Sequence, residues 1–210
     1  MIRTVVVEDN LYMQNHLTGM LAADGRFTLA ASVRDAFEAE AICRAQPIDL
    51  VLMDVQTLHN HSGLAAGERI RQGGRGPKVV VVTSLIDPQI LSRARAGAAD
   101  SLWYKDHGSA SLMDVVTRTL GGERVFPDAS PSVELKDMFS DEITPRQMEI
   151  LRRFVRGMTY EEIAADLKLT KNGVRWNLDQ IVEKGGFGNK HELLAALIEN
   201  KLIVMTLTDR

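Results

Sequence analysis

The sequence predicts a two-domain chain: an α/β domain with a doubly wound five-stranded parallel sheet, then a small all-α four-helix domain. Two observations predict it. Over the first 120 residues short apolar runs alternate with helical stretches, and near-continuous apolar strands imply a parallel sheet covered on both faces. From Thr144 onward strand signals cease before the tail, and helix-start signals recur instead.

Taken in order, strands are expected at 3–7, 27–32, 50–53, 79–83 and 101–104. Helices are expected between them at 11–23, 35–45, 64–72, 88–96 and 109–120. Gly121-Gly122 ends this half. Residues 121–140 carry Pro127 and Pro131 without sustained periodicity and read as a linker. In the second half, Thr144-Pro145 is an N-cap followed by proline at the first helical position. Thr159 to Glu162 is a capping box, Thr170 precedes a helix from Lys171 to Lys184, and a fourth helix runs from about Lys190 to Asn200.

Composition bounds the function. The chain has 210 residues, 45% hydrophobic and 25% charged, with net charge −3, so no global basic field advertises nucleic acid. No apolar run approaches the ~18 residues of a membrane span. Met1 to Thr4 is too short a lead for a signal peptide, so a cytoplasmic protein is expected. The single Cys43 excludes an internal disulfide and reads as a small buried hydrophobe.

Residues able to do chemistry collect at the expected strand ends. Glu8 and Asp9 follow Val5-Val6-Val7, Asp54 follows Leu50 to Met53, Thr83 ends Val79 to Val82, and Lys105 follows Leu102-Trp103-Tyr104. The carboxyl ends of parallel strands form the ligand crevice. Taken singly, Glu8-Asp9 reads equally as a turn with a helix cap, and Lys105-Asp106 as a solvated pair. Together they equip one edge to place a phosphoryl group on a carboxylate, with Asp54 as nucleophile. Neighbouring carboxylates repel one another, and Mg²⁺ removes that penalty. Lys105 adds a second positive charge and Thr83 a hydrogen bond to a phosphoryl oxygen.

Glu8-Asp9, Asp54, Thr83 and Lys105 together resemble the receiver domain of bacterial response regulators, over residues 1–120. The resemblance implies a flavodoxin-like fold and a sensor histidine kinase that donates phosphate to Asp54. It implies that Asp9, Asp54 and the backbone carbonyl of Gln56 hold Mg²⁺, with Glu8 assisting through water. The chain departs from that pattern at Thr57 and Leu58, where Met-Pro is usual, in a longer loop His59 to Gly63, and at Leu102, where an aromatic switch residue is usual. Trp103 or Tyr104 substitutes only if the register differs. His59 and His61 raise a metal site, but with no third ligand near in sequence they read as polar loop residues.

Residues 159–184 carry a helix-turn-helix pattern. Ile163, Ala164 and Leu167 give the first helix an inward face, Leu169 plugs the turn, and Val174, Leu178 and Ile181 recur at helical spacing in the second. The opposite face presents Lys171, Asn172, Arg175 and Trp176, with Lys184 at the end, a set suited to the major groove of double-stranded DNA. Arg175 pairs with guanine edges or a phosphate, and Lys171 suits phosphate, as do free backbone N–H groups at Thr159 and Thr170. Trp176 meets a thymine methyl or packs between domains. The pattern over 141–204, from Ile143-Thr144-Pro145 through Glu162-Ile163-Ala164 and Val174-Arg175 to Lys201-Leu202-Ile203, resembles the LuxR-type helix-turn-helix of NarL/FixJ response regulators. Departures include Gly173 and Asp179. Residues 141–210 hold eleven Lys/Arg and eleven Asp/Glu, so DNA affinity rests on a local patch. The helix His191 to Ile198 is apolar nearly all round, which suggests a homodimer contact or cover by the receiver or the tail 202–207.

The expected organisation is therefore a receiver at 1–120, a linker at 121–140 and a DNA-binding domain at 141–210. The expected function is a two-component transcriptional regulator in which phosphorylation of Asp54 promotes dimerisation and DNA binding. One rival keeps DNA binding and drops phosphorylation, control passing to a partner or ligand. A second, an aspartyl-phosphate hydrolase, needs a general acid two residues after the nucleophile, where Gln56 cannot serve. A third is a protein-interaction adaptor.

Overall fold

The computed structural model describes residues 1–72, 76–107 and 110–204. These form two compact units, 1–130 and 131–204. The first contains β1 (Ile2–Val7), α1 (Leu11–Ala23), β2 (Phe27–Val33), α2 (Ala36–Ala45), β3 (Leu50–Met53), α3 (Gly63–Arg71), β4 (Lys78–Thr83), α4 (Pro88–Arg93), β5 (Ser101–Tyr104) and α5 (Leu112–Leu120). The sheet is parallel throughout, in the order β2-β1-β3-β4-β5. The order reverses across β1 and β3, and a ligand crevice opens at such a switch point.

The local causes are readable. Asn10, Asp35, Ser62, Asp87 and Ser111 cap α1 to α5 by accepting N–H bonds from the first turn of each. Strand residues alternate between two buried faces. Val6, Leu52, Val80, Val82 and Trp103 pack with Leu17 and Leu21 of α1 and Val115 and Val116 of α5. Val5, Val7, Val51, Met53, Val79 and Val81 are equally buried on the other face. Each such side chain contributes about 1.5–3 kcal/mol on leaving water.

Two expected boundaries move. The helix expected over 88–96 stops at Arg93 and continues as a π-helical turn, Ala94–Ala98, because Gly97 adopts φ 155°. That turn packs so closely on α3 that a Cβ on Gly67 would lie 2.2 Å from the Ala98 carbonyl oxygen. The helix expected over 109–120 starts at Leu112, and Ser109 lies outside the described residues.

The stretch read as a linker divides. Leu102 N–H donates to the Val125 carbonyl at 3.0 Å and Val125 N–H to Ser101 Oγ at 2.9 Å, so the chain runs back along β5 within the first unit. Residues 131–140 belong to the second unit, where β6 (Glu134–Leu135) and β7 (Met138–Phe139) make an antiparallel hairpin turning at Lys136, φ 55°. The helices α6 (Pro145–Val155), α7 (Tyr160–Leu167), α8 (Lys171–Lys184) and α9 (Lys190–Glu199) follow. Their core is Ile150, Leu151, Ile163, Val174, Leu178, Ile181, Leu193 and Leu197, joined by buried Leu135 and Met138 of the hairpin and by Leu202 and Ile203. The turn residue Leu169 is half-buried rather than a full plug, and Lys168 makes the turn in the left-handed region.

Away from the crevice, Asp100 is buried between Arg71 and Lys78 and accepts the Val79 N–H at 2.9 Å. Burial pushes its pKa up, but Arg71, the Val79 N–H and Lys78 together hold it below the ordinary carboxylate value. A carboxylate depressed in the fold contributes stability above its unfolded pKa, and that stability is lost as pH falls through the folded value. Asp100→Asn is expected to cost about 1–3 kcal/mol at neutral pH and to flatten the acid limb of a Tm–pH curve below about pH 4. Thermal melts of both proteins across that range check it.

Candidate functional site

Four strand ends build the crevice. Residues after β1 supply Glu8 and Asp9, β3 delivers Asp54, Thr83 closes β4, and Lys105 follows β5. The Lys105 ammonium donates to Glu8 Oε2 at 2.6 Å and to Asp54 Oδ2 at 2.9 Å. Asp54 Oδ1 accepts the Val55 N–H at 2.7 Å, and the Asp54 N–H donates to the Val7 carbonyl at 3.0 Å. Glu8 and Asp54 are buried and Asp9 half-buried, and their carboxylate oxygens lie within 4.8 Å of one another. Thr83 Oγ1 accepts the Leu85 N–H at 3.1 Å.

The electrostatics follow from burial. Desolvation drives the Asp54 carboxyl up to a pKa of about 7, against the pull of the Lys105 charge and with a further push from Glu8. Burial opposes the charge on Lys105, but Asp54 and Glu8 outweigh it and raise its pKa. The arrangement thus holds two acidic groups and one cation with negative charge to spare, a setting for a divalent cation with oxygen ligands.

The loop leaving Asp54 is tightly held. Gln56 forms a β-bridge with Ser62. Thr57 accepts the Ala36 N–H on its hydroxyl and donates that hydroxyl to the His61 carbonyl at 2.9 Å. A Cβ on Gly63 would fall 1.8 Å from the Asp54 carbonyl oxygen, so only glycine lets α3 start here. Of the aromatics beside Leu102, Trp103 packs on the α1/α5 face and donates its indole N–H to the Ala110 carbonyl. Tyr104 shares the buried Leu102 face, since the residues alternate, and its hydroxyl lies 3.1 Å from Ser130 Oγ. Cys43 is half-buried, and burial with the nearby Glu40 charge lifts its thiol to about 11, so it is a poor nucleophile.

In the second unit, Lys171, Asn172, Arg175, Trp176 and Lys184 are exposed on α8, opposite buried Val174, Leu178 and Ile181. Three of the cations are paired: Lys171 with Glu161 at 2.5 Å, Arg175 with Asp179 at 3.5 Å and Lys184 with Glu142 at 2.8 Å. Thr170 Oγ1 caps α8 through the Gly173 N–H at 3.0 Å. The expectation of a free Thr159 N–H is corrected here. It donates to Glu162 Oε2 at 2.7 Å, because the capping box consumes it. With Glu161 and Glu162 in that first turn, α7 offers its acidic side to a phosphate. Glu162 three residues after Thr159 announced the box in the sequence; that it also removes the donor is a consequence of closing it.

Comparison with known proteins fits this geometry. A response regulator receiver domain matches residues 4–117, and the luxR family of bacterial regulatory proteins matches residues 141–196. The chain belongs to the response regulators. The uncharacterized transcriptional regulatory protein YvfU of Bacillus subtilis is 30% identical over 204 residues, covering 96% of this chain and 98% of that protein. The transcriptional regulatory protein DesR of the same organism is 23% identical, covering 92% and 95%. Among solved structures, RcsB from Salmonella enterica serovar Typhimurium bound to promoter rprA with the phosphomimetic BeF3− shares the fold at TM-score 0.61 and 16% identity, covering 94% and 98%. This regulator joins a receiver to a LuxR-type DNA-binding domain and acts in two-component transcription control. Among its described residues no helix is long and apolar enough to cross a membrane.

Gly63→Ala tests the loop. The clash with the Asp54 carbonyl is expected to cost about 1–3 kcal/mol, and it displaces the carboxylate from Lys105. A lowered Tm is the expected result in thermal melts; an unchanged one would show that α3 shifts freely.

Proposed function

We propose that Asp54 accepts a phosphoryl group from a sensor histidine kinase and that this switches the regulator between weak and strong DNA binding. The observation that carries the reading is the buried Asp54 carboxylate held 2.9 Å from Lys105 beside Glu8 and Asp9. An Asp54 oxygen attacks phosphorus, the bond from phosphorus to the kinase imidazole breaks, and that nitrogen leaves with the bonding pair. Lys105 stands ready to exchange a carboxylate for a phosphoryl oxygen. Thr83, its oxygen occupied by the Leu85 N–H, keeps its own proton for another. Asp9, Asp54 and the Gln56 carbonyl would hold Mg²⁺, with Glu8 acting through water; three carboxylates within 4.8 Å suit it. When bound, the cation neutralises charge on the transferring group.

Beyond its own phosphorylation and dephosphorylation, the crevice supports no further catalysis in this reading, since Gln56 offers no general acid. DNA in the cytoplasm is the target, read by Lys171, Asn172, Arg175 and Trp176, with Thr170 and Lys184 flanking. Two copies would bind paired half-sites; the structurally similar RcsB has been solved as two dimers bound to two parallel DNAs. The exposed Ile198 on α9, left over once Leu193 and Leu197 are buried, is a candidate contact.

Sedimentation velocity with and without beryllofluoride and Mg²⁺ tests the switch. Wild type is expected to shift from monomer to dimer and Asp54→Asn to show no shift; identical behaviour of the two would move control to a partner or ligand. For the DNA face, Arg175→Ala is expected to weaken binding by about 1–3 kcal/mol in a titration of operator DNA at fixed salt. Undiminished affinity would remove α8 as the reading element.

A further inference from the structure

The structure assigns a second metal site to the receiver unit: we propose that Asp35, His59 and His61 bind a divalent transition-metal ion such as zinc. One ligand atom from each lies within 4.8 Å of the others. The site does not depend on phosphorylation of Asp54 and shares no residue with the acidic crevice.

Two segments converge to make it. Asp35 is the N-cap of α2. His59 sits inside a 3₁₀ turn, Leu58–Asn60, and His61 follows it. His61 Nδ1 lies 2.8 Å from Asp35 Oδ1 and 3.0 Å from Oδ2, and His59 Nδ1 lies 3.1 Å from Oδ2. Both imidazoles therefore aim the same ring nitrogen at one carboxylate. His59 and Asn60 adopt φ 60° and 58°, a left-handed pair that non-glycine residues hold only when their surroundings enforce it. The enforcement is visible: Leu58 N–H donates to the Arg34 carbonyl, Ala36 N–H to Thr57 Oγ1, and His61 packs on the Phe37 ring at 4.0 Å. These contacts tie the histidine loop to the segment carrying Asp35, so the ligands are positioned in advance.

The spacing and chemistry fit. Tetrahedral zinc with N and O ligands at about 2.0–2.2 Å puts its ligand atoms about 3.3 Å apart. The separations of the two Nδ1 atoms from the Asp35 carboxylate, 2.8–3.1 Å, need to open by only a few tenths of an ångström, and the two imidazole ligand atoms lie within 4.8 Å of each other. Each ring proton now shared between Nδ1 and Asp35 moves to Nε2, which frees the Nδ1 lone pair. Two imidazoles and one carboxylate leave a fourth position for water, and the His59 side chain, 67% exposed, gives the ion a way in. Imidazole nitrogen favours zinc, copper and nickel, whereas the all-oxygen crevice at Glu8, Asp9 and Asp54 favours Mg²⁺. The two sites therefore sort cations by ligand type.

Calorimetric titration of the chelator-stripped full chain with ZnCl₂ in excess Mg²⁺ tests this, on wild type, His59→Ala, His61→Ala and Asp54→Asn. One zinc per chain is expected in wild type and in Asp54→Asn. Affinity should fall at least about tenfold in His59→Ala and about 100-fold in His61→Ala. Because His59 is mostly exposed, its variant keeps the test valid should His61→Ala fail to fold. No zinc binding in wild type, undiminished binding in both histidine variants, or loss in Asp54→Asn would overturn the assignment.

Discussion

Lys105 sets its ammonium 2.6 Å from Glu8 and 2.9 Å from Asp54, and so offsets charge on two carboxylates that are both buried. The strand ends around it depend on that charge. β1, β3 and β5 each bring a polar residue out of an apolar run to the same edge, and an unpaired charge there would cost several kcal/mol. The pairing is incomplete by design of the charges: two carboxylates meet one ammonium, with Asp9 close by. Desolvation, with a further push from Glu8, raises the Asp54 pKa against the pull of Lys105. In the proposed reading a cation would relieve the imbalance between Glu8, Asp54 and Lys105, and a phosphoryl group, itself anionic, would depend on that cation and on Lys105 to be held there.

In the second unit charge is balanced locally rather than concentrated. Lys171, Arg175 and Lys184 each have an acidic neighbour on the same unit, and Asp179 is shared between Arg175 and Lys190 at 3.5 and 2.6 Å. Exposed pairs of this kind are worth about 0–1 kcal/mol, so DNA phosphates can displace them at little cost. They do lower the nonspecific attraction of the face for polyanions. In the proposed reading, binding by such a surface would lean on paired half-sites, where two weak contacts act as one, and this would connect a neutral DNA-binding unit to a switch working through dimerisation.

Strand and helix order was legible in the residues because β1, β3, β4 and β5 each carry an apolar run ended by a polar residue, and because caps such as Thr144, Thr159 and Thr170 are local signals. What escaped is non-local. Residues 121–140 lack periodicity, yet Val125 pairs along β5 and Leu135 and Met138 are buried; short pairings of that kind leave no repeat to detect. The crevice residues were found from their positions at strand ends. Asp35 was not joined to His59 and His61, since more than twenty residues separate it from both and its capping role accounts for it in isolation. The Thr159 donor was misjudged for the opposite reason: the capping box was recognised, but not that it uses up the N–H.

The departures of the loop after Asp54 form one structural solution rather than separate losses. Where the usual receivers carry Met-Pro, Thr57 in the first position uses its hydroxyl both to receive the Ala36 N–H and to hold the His61 carbonyl, and Leu58 in the second donates to the Arg34 carbonyl an N–H that proline lacks. The longer loop is taken up by the left-handed pair His59-Asn60, which turns the chain back so that Gln56 bridges Ser62 and Gly63 can press against the Asp54 carbonyl. That turn is what delivers two imidazoles to Asp35. Any ion that alters the His59–Asp35–His61 contacts therefore acts on a loop whose other end is the Asp54 backbone, the residues between them being tied down by the Gln56–Ser62 bridge and the Thr57 hydrogen bonds.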